Sequence, residues 1–263
     1  MTAYRINQFV ALCANISRRK ADEAICNGEV KLNGRVAKLG ESVESFKDVV
    51  KYQGQILEAP RKRYLAFHKP KGVITTKSDE AGRKTIYDWL TGKDKDLLPA
   101  GRLDRNSSGL LILSNDGEFI QALIHPSKSW TKRYRVRVNL PLTEAHIKKL
   151  EKGILLTPEN KTAVITVIEV SDPVTCVVET VTGYNRQLRR MMQAVGLDVV
   201  DLRRTDVGPL SIGRLGIGQV RDLKPSEIKL IMNTVPKLVT KPGKPKAGAK
   251  KNNSKSPQAP RKK

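Results

Sequence analysis

At 263 residues the chain can hold one large domain or two smaller ones around a real core, and 39% hydrophobic with 29% charged residues describes a soluble globular protein. Its 49 Lys+Arg against 26 Asp+Glu leave a formal charge of +23, which points to a polyanionic partner, nucleic acid foremost. Three scattered cysteines (Cys13, Cys26, Cys176) argue against a disulfide framework or a zinc site and read as reduced and buried, while no signal-like start and no run near the roughly 18 apolar residues of a membrane span argue against secretion and insertion.

Ile6, Phe9, Val10 and Leu12 fall at helical spacing, and the pattern ends near Asn15. Ser17 is a good N-cap for a second helix carrying Ala21, Ala24 and Ile25, stopped by Asn27-Gly28. Residues 29–36 alternate and turn at Asn33-Gly34, a hairpin signal, and residues 49–52 add another extended piece. Arg18, Arg19 and Lys20 open the second helix, where backbone N–H groups and cationic side chains can jointly hold phosphate; a solvated helix start fits the same residues. Ser17-Arg18-Arg19-Lys20-Ala21-Asp22-Glu23, followed by Gly28-Glu29-Val30-Lys31-Leu32-Asn33-Gly34, resembles the small alpha-L RNA-binding module named after a ribosomal small-subunit protein. That resemblance implies an RNA-binding module over residues 1–58, with Gln8 where the family often carries lysine.

Residues 59–63 are basic and Pro-containing and read as a linker. Residues 64–67, the turn His68-Lys69-Pro70-Lys71-Gly72 and residues 73–76 predict strand, turn, strand. Residues 85–90 suggest a short helix. Asn115 and Glu118 have the spacing of a capping box, which would start a helix through Phe119, Ile120, Leu123 and Ile124 and end it before Pro126. Residues 134–138 alternate as a half-buried strand, and residues 143–152 read as a helix stopped at Gly153. Two runs rich in β-branched residues, 163–170 and 174–181, look like neighbouring strands. Helices follow at 185–195, stopped by Gly196, and at 226–235. The expected class is α+β: the small module, then a domain over 64–236 with a mixed, largely antiparallel sheet. Residues 237–263 carry ten basic and no acidic side chains, and the segment is expected to be disordered and to add sequence-independent RNA affinity.

The chemistry concentrates in Gly101-Arg102-Leu103-Asp104-Arg105-Asn106-Ser107-Ser108-Gly109, a polar loop that runs into the apolar strand 110–113. Flanking cations favour an ionised carboxylate, which can attack an electron-poor carbon, while the arginines can hold a polyanion. A turn aspartate between two solvated arginines is the plainer alternative. Lys132-Arg133-Tyr134 puts a tyrosine among cations in a chain with 5% aromatic residues, so it is either a core tyrosine or a platform for a base, worth roughly 1–3 kcal/mol. Leu188, Met191, Met192 and Val195 mark one buried helix face and leave Arg186 and Arg190 on the other. Arg189 lies at the border, where it can meet a partly buried carboxylate or stay in solvent.

Gly101-Arg102-Leu103-Asp104 with Ser108-Gly109-Leu110-Leu111, Lys132-x-Tyr134, and Asn185-Arg186-Gln187-Leu188-Arg189-Arg190-Met191 together resemble, in family order, a pseudouridine synthase of the ribosomal-RNA (RsuA-like) branch over about residues 5–231. His68 departs from the asparagine usual before Lys-Pro. The resemblance implies that Asp104 is the nucleophile, that Tyr134 packs on the target base and that Arg189 pairs with Asp104. The expected RNA contacts are Arg18, Arg19, Lys20, Lys69, Lys71, Arg102, Arg105, Lys132, Arg186 and Arg190. The implied reaction turns a uridine of ribosomal RNA into pseudouridine with no metal or cofactor; large-subunit RNA is preferred, with small-subunit RNA and tRNA open. The carboxylate can attack the sugar carbon or uracil C6, and both routes stay open. A cytoplasmic monomer is expected. The competing reading is a non-catalytic RNA-binding or ribosome-assembly factor on the same scaffold. A DNA-binding regulator is weaker, because the second helix offers phosphate-type cations rather than base readers.

Overall fold

A computed structural model of the protein describes residues 3–233, so the tail expected at 237–263 lies outside the described residues. The chain starts with β1 (Ala3–Arg5), α1 (Ile6–Cys13) and α2 (Arg18–Cys26). Ser17 caps α2 by accepting the Lys20 N–H at 3.1 Å, and Asn27-Gly28 end it as expected. The short strands β2 (Val30–Leu32), β3 (Arg35–Val36), β4 (Ser42–Glu44), β5 (Val50–Tyr52) and β6 (Gln55–Ile56) follow. Asn33 and Gly34 both have positive φ, the requirement of a tight hairpin turn, and the sheet order is β3-β2-β5-β6. Ile6, Phe9 and Val10 of α1 pack on Ala21, Ala24 and Ile25 of α2 and on Val30, Val43 and Val50 below, giving this unit its own small core.

The larger unit is built on β7 (Tyr64–Lys69), β8 (Leu98–Pro99), β9 (Ser108–Ser114), α3 (Gly117–Ile124), β10 (Lys132–Val138), α4 (Glu144–Lys152), β11 (Ile154–Leu156), β12 (Lys161–Ala163), β13 (Thr166–Asp172) and β14 (Thr175–Thr180). It closes with α5 (Gln187–Ala194), β15 (Val199–Val207), β16 (Leu210–Ser211), β17 (Val220–Asp222) and α6 (Pro225–Asn233). The main sheet runs β13-β14-β10-β15-β9-β7-β17, with β8 on β9 and β16 on β15. Its pairings are antiparallel except between β15 and β9, which run parallel and pair through only Arg203↔Ser108 and Arg204↔Gly109. Because β9 is buried on both faces, its sequence is a continuous apolar run rather than an alternation. Leu111 and Leu113 face one core with Leu188, Met191 and Met192 of α5 and Leu150 of α4. Leu110 and Ile112 face the other with Phe119 and Leu123 of α3 and Ile231 of α6.

Four expectations change. Residues 73–76 form no strand: Ile74 makes one bridge to Thr85, and the hydroxyl of Thr75 is taken up elsewhere. Asn115 does not cap α3; Asp116 does, accepting the Glu118 N–H at 3.1 Å, while Asn115 ties the linker by accepting from Arg63 N and donating to Arg61 O. The run 163–170 splits, since Ala163 ends β12 in a separate ribbon with β11 before β13 begins. Of the cysteines only Cys176 is buried; Cys13 is half-buried and Cys26 exposed.

Candidate active site

Five consecutive peptide carbonyls hold the loop that carries Asp104. Leu103 O accepts from Thr75 Oγ1 at 2.9 Å, and Asp104 O from the Ser107 N–H at 3.0 Å and Lys69 Nζ at 3.1 Å. Arg105 O accepts from the Gly72 N–H at 2.8 Å, Asn106 O from Arg189 Nη2 at 2.7 Å, and Ser107 O from Lys69 Nζ at 2.9 Å. Hydrogen bonds from charged donors contribute roughly 1.5–3 kcal/mol each, so the two cationic anchors dominate this fixation. The backbone is thereby pinned, and the half-buried Asp104 borders a cavity of about 980 Å³. Tyr134 lines the same cavity from β10, 9% exposed, with its neighbours Val136 and Val138 in the core on the same strand face.

Arg189 stands in the first turn of α5, where Gln187 fixes the helix start. Its side chain accepts from Thr182 Oγ1 at 2.8 Å and the Tyr184 N–H at 3.1 Å and donates to Thr180 Oγ1 at 3.0 Å. Arg189 does not form the expected ion pair with Asp104. It donates instead to Asn106 O and, through Nη1 at 3.0 Å, to Val199 O, and its Nε is buried without a hydrogen-bond partner. Burial and the neighbouring Arg186 lower its pKa, partly offset by the field of Asp104. The arginine therefore grips the peptide two residues past the carboxylate.

Residues 63–194 match the family model described as RNA pseudouridylate synthase, and residues 5–50 match the S4 domain. Over 231 residues the chain is 36% identical to the ribosomal large subunit pseudouridine synthase B of Bacillus subtilis (strain 168), covering 86% of this chain and 94% of that one. The chain belongs to the RNA pseudouridine synthases. It is also 35% identical over 259 residues to the dual-specificity RNA pseudouridine synthase RluF of Escherichia coli (strain K12), covering 95% and 85% of the two chains. A crystal structure of a pseudouridylate synthase superposes with a TM-score of 0.64 at 28% identity, over 86% of this chain and 99% of the other.

In this synthase the expected RNA-contacting cations divide by what they already hold. Arg18, Arg19 and Lys20 are exposed along the first turn of α2. Arg102 and Arg186 are exposed on the cavity rim; Arg186 adopts the left-handed conformation (φ 47°) just before α5. Arg105 is exposed on the same rim, its Nε donating to Gly72 O at 3.3 Å. Lys71 is paired with Asp201. Lys69 is 0% exposed and spends its three N–H groups on Pro70 O, Asp104 O and Ser107 O, so it is a strut of the loop rather than an RNA contact. Burial pushes its ammonium down to about 8, with Asp104 acting in the opposite sense. Arg190 is likewise withdrawn, held by both oxygens of Glu159 at 2.8 and 2.9 Å and by Asn185 O. Lys132 is half-buried in the cavity wall and donates to Trp130 O and Val181 O.

Two site residues escape the sequence pattern. Thr75 reads as one of a Thr-Thr strand pair, yet its hydroxyl both donates to Leu103 O and accepts the Leu103 N–H at 3.3 Å. Arg204, 5% exposed, lines the cavity from β15. No local sequence signal marks it, because a bulge decides which way it faces. His68, the departure from the family pattern, lies on the far side of the strand end, with Nδ1 2.8 Å from Leu215 O and burial lowering its pKa.

Proposed function

We propose that this synthase converts one uridine of large-subunit ribosomal RNA to pseudouridine, working as a cytoplasmic monomer with Asp104 as nucleophile. The observation that carries the reading is the loop pinned at five successive carbonyls, which presents the Asp104 carboxylate to a cavity shared with Tyr134. A preset nucleophile needs no reorganisation when the base arrives. The large-subunit preference is supported by the likeness to the large-subunit synthase of Bacillus subtilis.

The reaction must break the bond from uracil N1 to the ribose, turn the ring and join C5 to the same sugar carbon. It is redox-neutral. The target nucleotide leaves its stack at a cost of a few kcal/mol, and stacking on Tyr134 returns part of it. Arg102, Arg105 and Arg186 at the rim are suited to the flanking phosphates, while Arg18, Arg19 and Lys20 hold RNA further out, on the 1–58 module. Arg189 holds the Asp104 loop through Asn106 O, and its unpartnered Nε keeps one donor in reserve beside it.

Purified protein is incubated with unmodified ribosomal RNA, and pseudouridine is mapped by chemical sequencing, with Asp104→Asn alongside. One new site in large-subunit RNA, absent with Asp104→Asn while RNA affinity stays within about threefold, is expected; threefold is a ~0.7 kcal/mol allowance. Tight binding without a modified site in any ribosomal or transfer RNA would establish the assembly-factor reading instead.

A further inference from the structure

Lys132 and Tyr134 sit at positions i and i+2 on the buried face of β10, and Tyr134 is the register partner of Arg204 on β15. A bulge puts Arg204 on that face. The register runs Lys132↔Val207, Arg133↔Asp206 and then Tyr134↔Arg204, leaving Thr205 as the extra residue. In an unbroken ladder Val207 and Arg204, three residues apart, would face opposite sides of the sheet.

The two cations keep donors in reserve. Arg204 spends its Nε on Leu110 O at 2.8 Å, and its two terminal nitrogens have no hydrogen-bond partner among the described residues. Lys132 uses two of its three N–H groups, on Trp130 O at 3.2 Å and Val181 O at 3.3 Å. Lys69 nearby is saturated by three carbonyls, so the contrast lies within one neighbourhood. Burial first, and Arg204 second, push the Lys132 ammonium down to about 8. Two like charges side by side in a wall cost stability unless an anion completes them.

We propose that Lys132 and Arg204 bind the carbonyl oxygens of the target uracil and stabilise the negative charge that builds on the ring during isomerisation. The assignment rests on the reading of the cavity as a uridine site. If Asp104 attacks the sugar, its oxygen bonds C1′ while the C1′–N1 bond breaks, and the electron pair stays on uracil, spread over N1, O2 and O4. After the ring turns, C5 bonds C1′ with ring electrons and the carboxylate leaves with its own pair; C5 loses a proton to solvent and N1 gains one. If Asp104 adds to C6 instead, the C5–C6 pair moves onto the O4 carbonyl. Both routes load a ring carbonyl oxygen, so the need for fixed cations does not depend on which carbon is attacked. Depth favours the base over a phosphate: Arg204 lies as deep as Tyr134, whereas Arg102, Arg105 and Arg186 stay exposed at the mouth.

The test is single-turnover conversion of a ribosomal RNA fragment by Lys132→Gln, Arg204→Lys and Lys132→Arg, with RNA affinity measured for each. The saturated rate should fall about 100-fold in Lys132→Gln, the scale of losing one fixed donor to a developing oxyanion, and recover largely in Lys132→Arg. Affinity should stay within about threefold, or ~0.7 kcal/mol. The same comparison is then run on RNAs with sulfur in place of O2 or O4 of the target uridine, and the Lys132→Gln loss should shrink on one of them. An unchanged saturated rate with weakened affinity would make the pair a phosphate site. An equal loss on the oxo and both thio substrates would make it structural, and either result overturns the assignment. Should Lys132→Gln fail to fold, Arg204→Lys carries the same comparison. A wild-type protein that forms no pseudouridine would instead remove the functional reading beneath it.

Discussion

Lys69 sits in a Lys-Pro turn of the kind that dots any basic protein, and only the fold shows its ammonium fully enclosed among carbonyls. Lys69 and Lys132 are both pushed down to about 8 from an ordinary 10.5. Between those values the unfolded chain holds more protons than the folded one, so their contribution to stability rises as pH climbs through that window. Activity should move the opposite way, falling above about pH 8 as the loop loses a donor and the cavity a charge. Parallel series of thermal unfolding and single-turnover rate would check both signs; a rate still level two units above the midpoint would refute the second. Gly109 makes a sharper case. Its φ is +111°, and a Cβ there would lie 2.2 Å from Arg204 O. Gly109→Ala should therefore destabilise by more than about 2 kcal/mol in urea unfolding, more than at Gly34, where only the positive φ and no close contact opposes a side chain. That Asp104 and Tyr134 would lie close together was legible from motif order, and both line one cavity. The withdrawal of Arg190 onto Glu159, 31 positions away, and the turning inward of Arg204 by a bulge leave no local trace.

Helices and strands with a strong period were legible, and their ends were less so. Thr143 caps α4 and Gly153 stops it, as spacing suggests. At α3 two adjacent Asx residues compete, and partners distant in sequence decide. Asp116 accepts from Tyr64 Oη at 2.8 Å and pairs with Lys62 at 2.9 Å, besides capping Glu118 N. Despite burial, those two partners hold its carboxyl below the usual range. Its contribution is thus present at neutral pH and lost as pH falls through the lowered carboxyl. Asp116→Ala should cost about 2–3 kcal/mol, and Asn115→Ala about 1, as read by denaturant midpoints. Equal losses would mean the cap is shared. The missing strand at 73–76 has the same kind of cause: the Thr75 hydroxyl is tied to both polar groups of the Leu103 backbone on the Asp104 loop, 28 positions away.

Across the whole molecule the charge is unevenly used. Many central cations are consumed by carboxylates or carbonyls, whereas the side chains of Arg18, Arg19 and Lys20 are exposed on α2 with no partner among the described residues. Replacing all three with alanine should leave the melting temperature unchanged but weaken RNA binding and reduce the slope of log affinity against log salt by about 2–3, the equivalent of three released counterions. An unchanged slope would place the RNA elsewhere. The two units touch through Asn15, which donates to Asp96 at 2.7 Å and accepts from Lys77 at 2.9 Å. The sheet has its own joint. β9 and β15 run for seven and nine residues yet share two register pairs, and the Asp104 loop arrives on one side of that junction and Tyr134 on the other. Such a seam works like the spine of a book held by two stitches. Besides its ladder bonds, the junction is tied by Arg204 Nε on Leu110 O and by the close approach of Gly109 to the Arg204 backbone, while the longer ladders lie on either leaf. The opening between Asp104 and Tyr134 is thus set where two long strands are joined most briefly, by two register pairs in seven and nine residues.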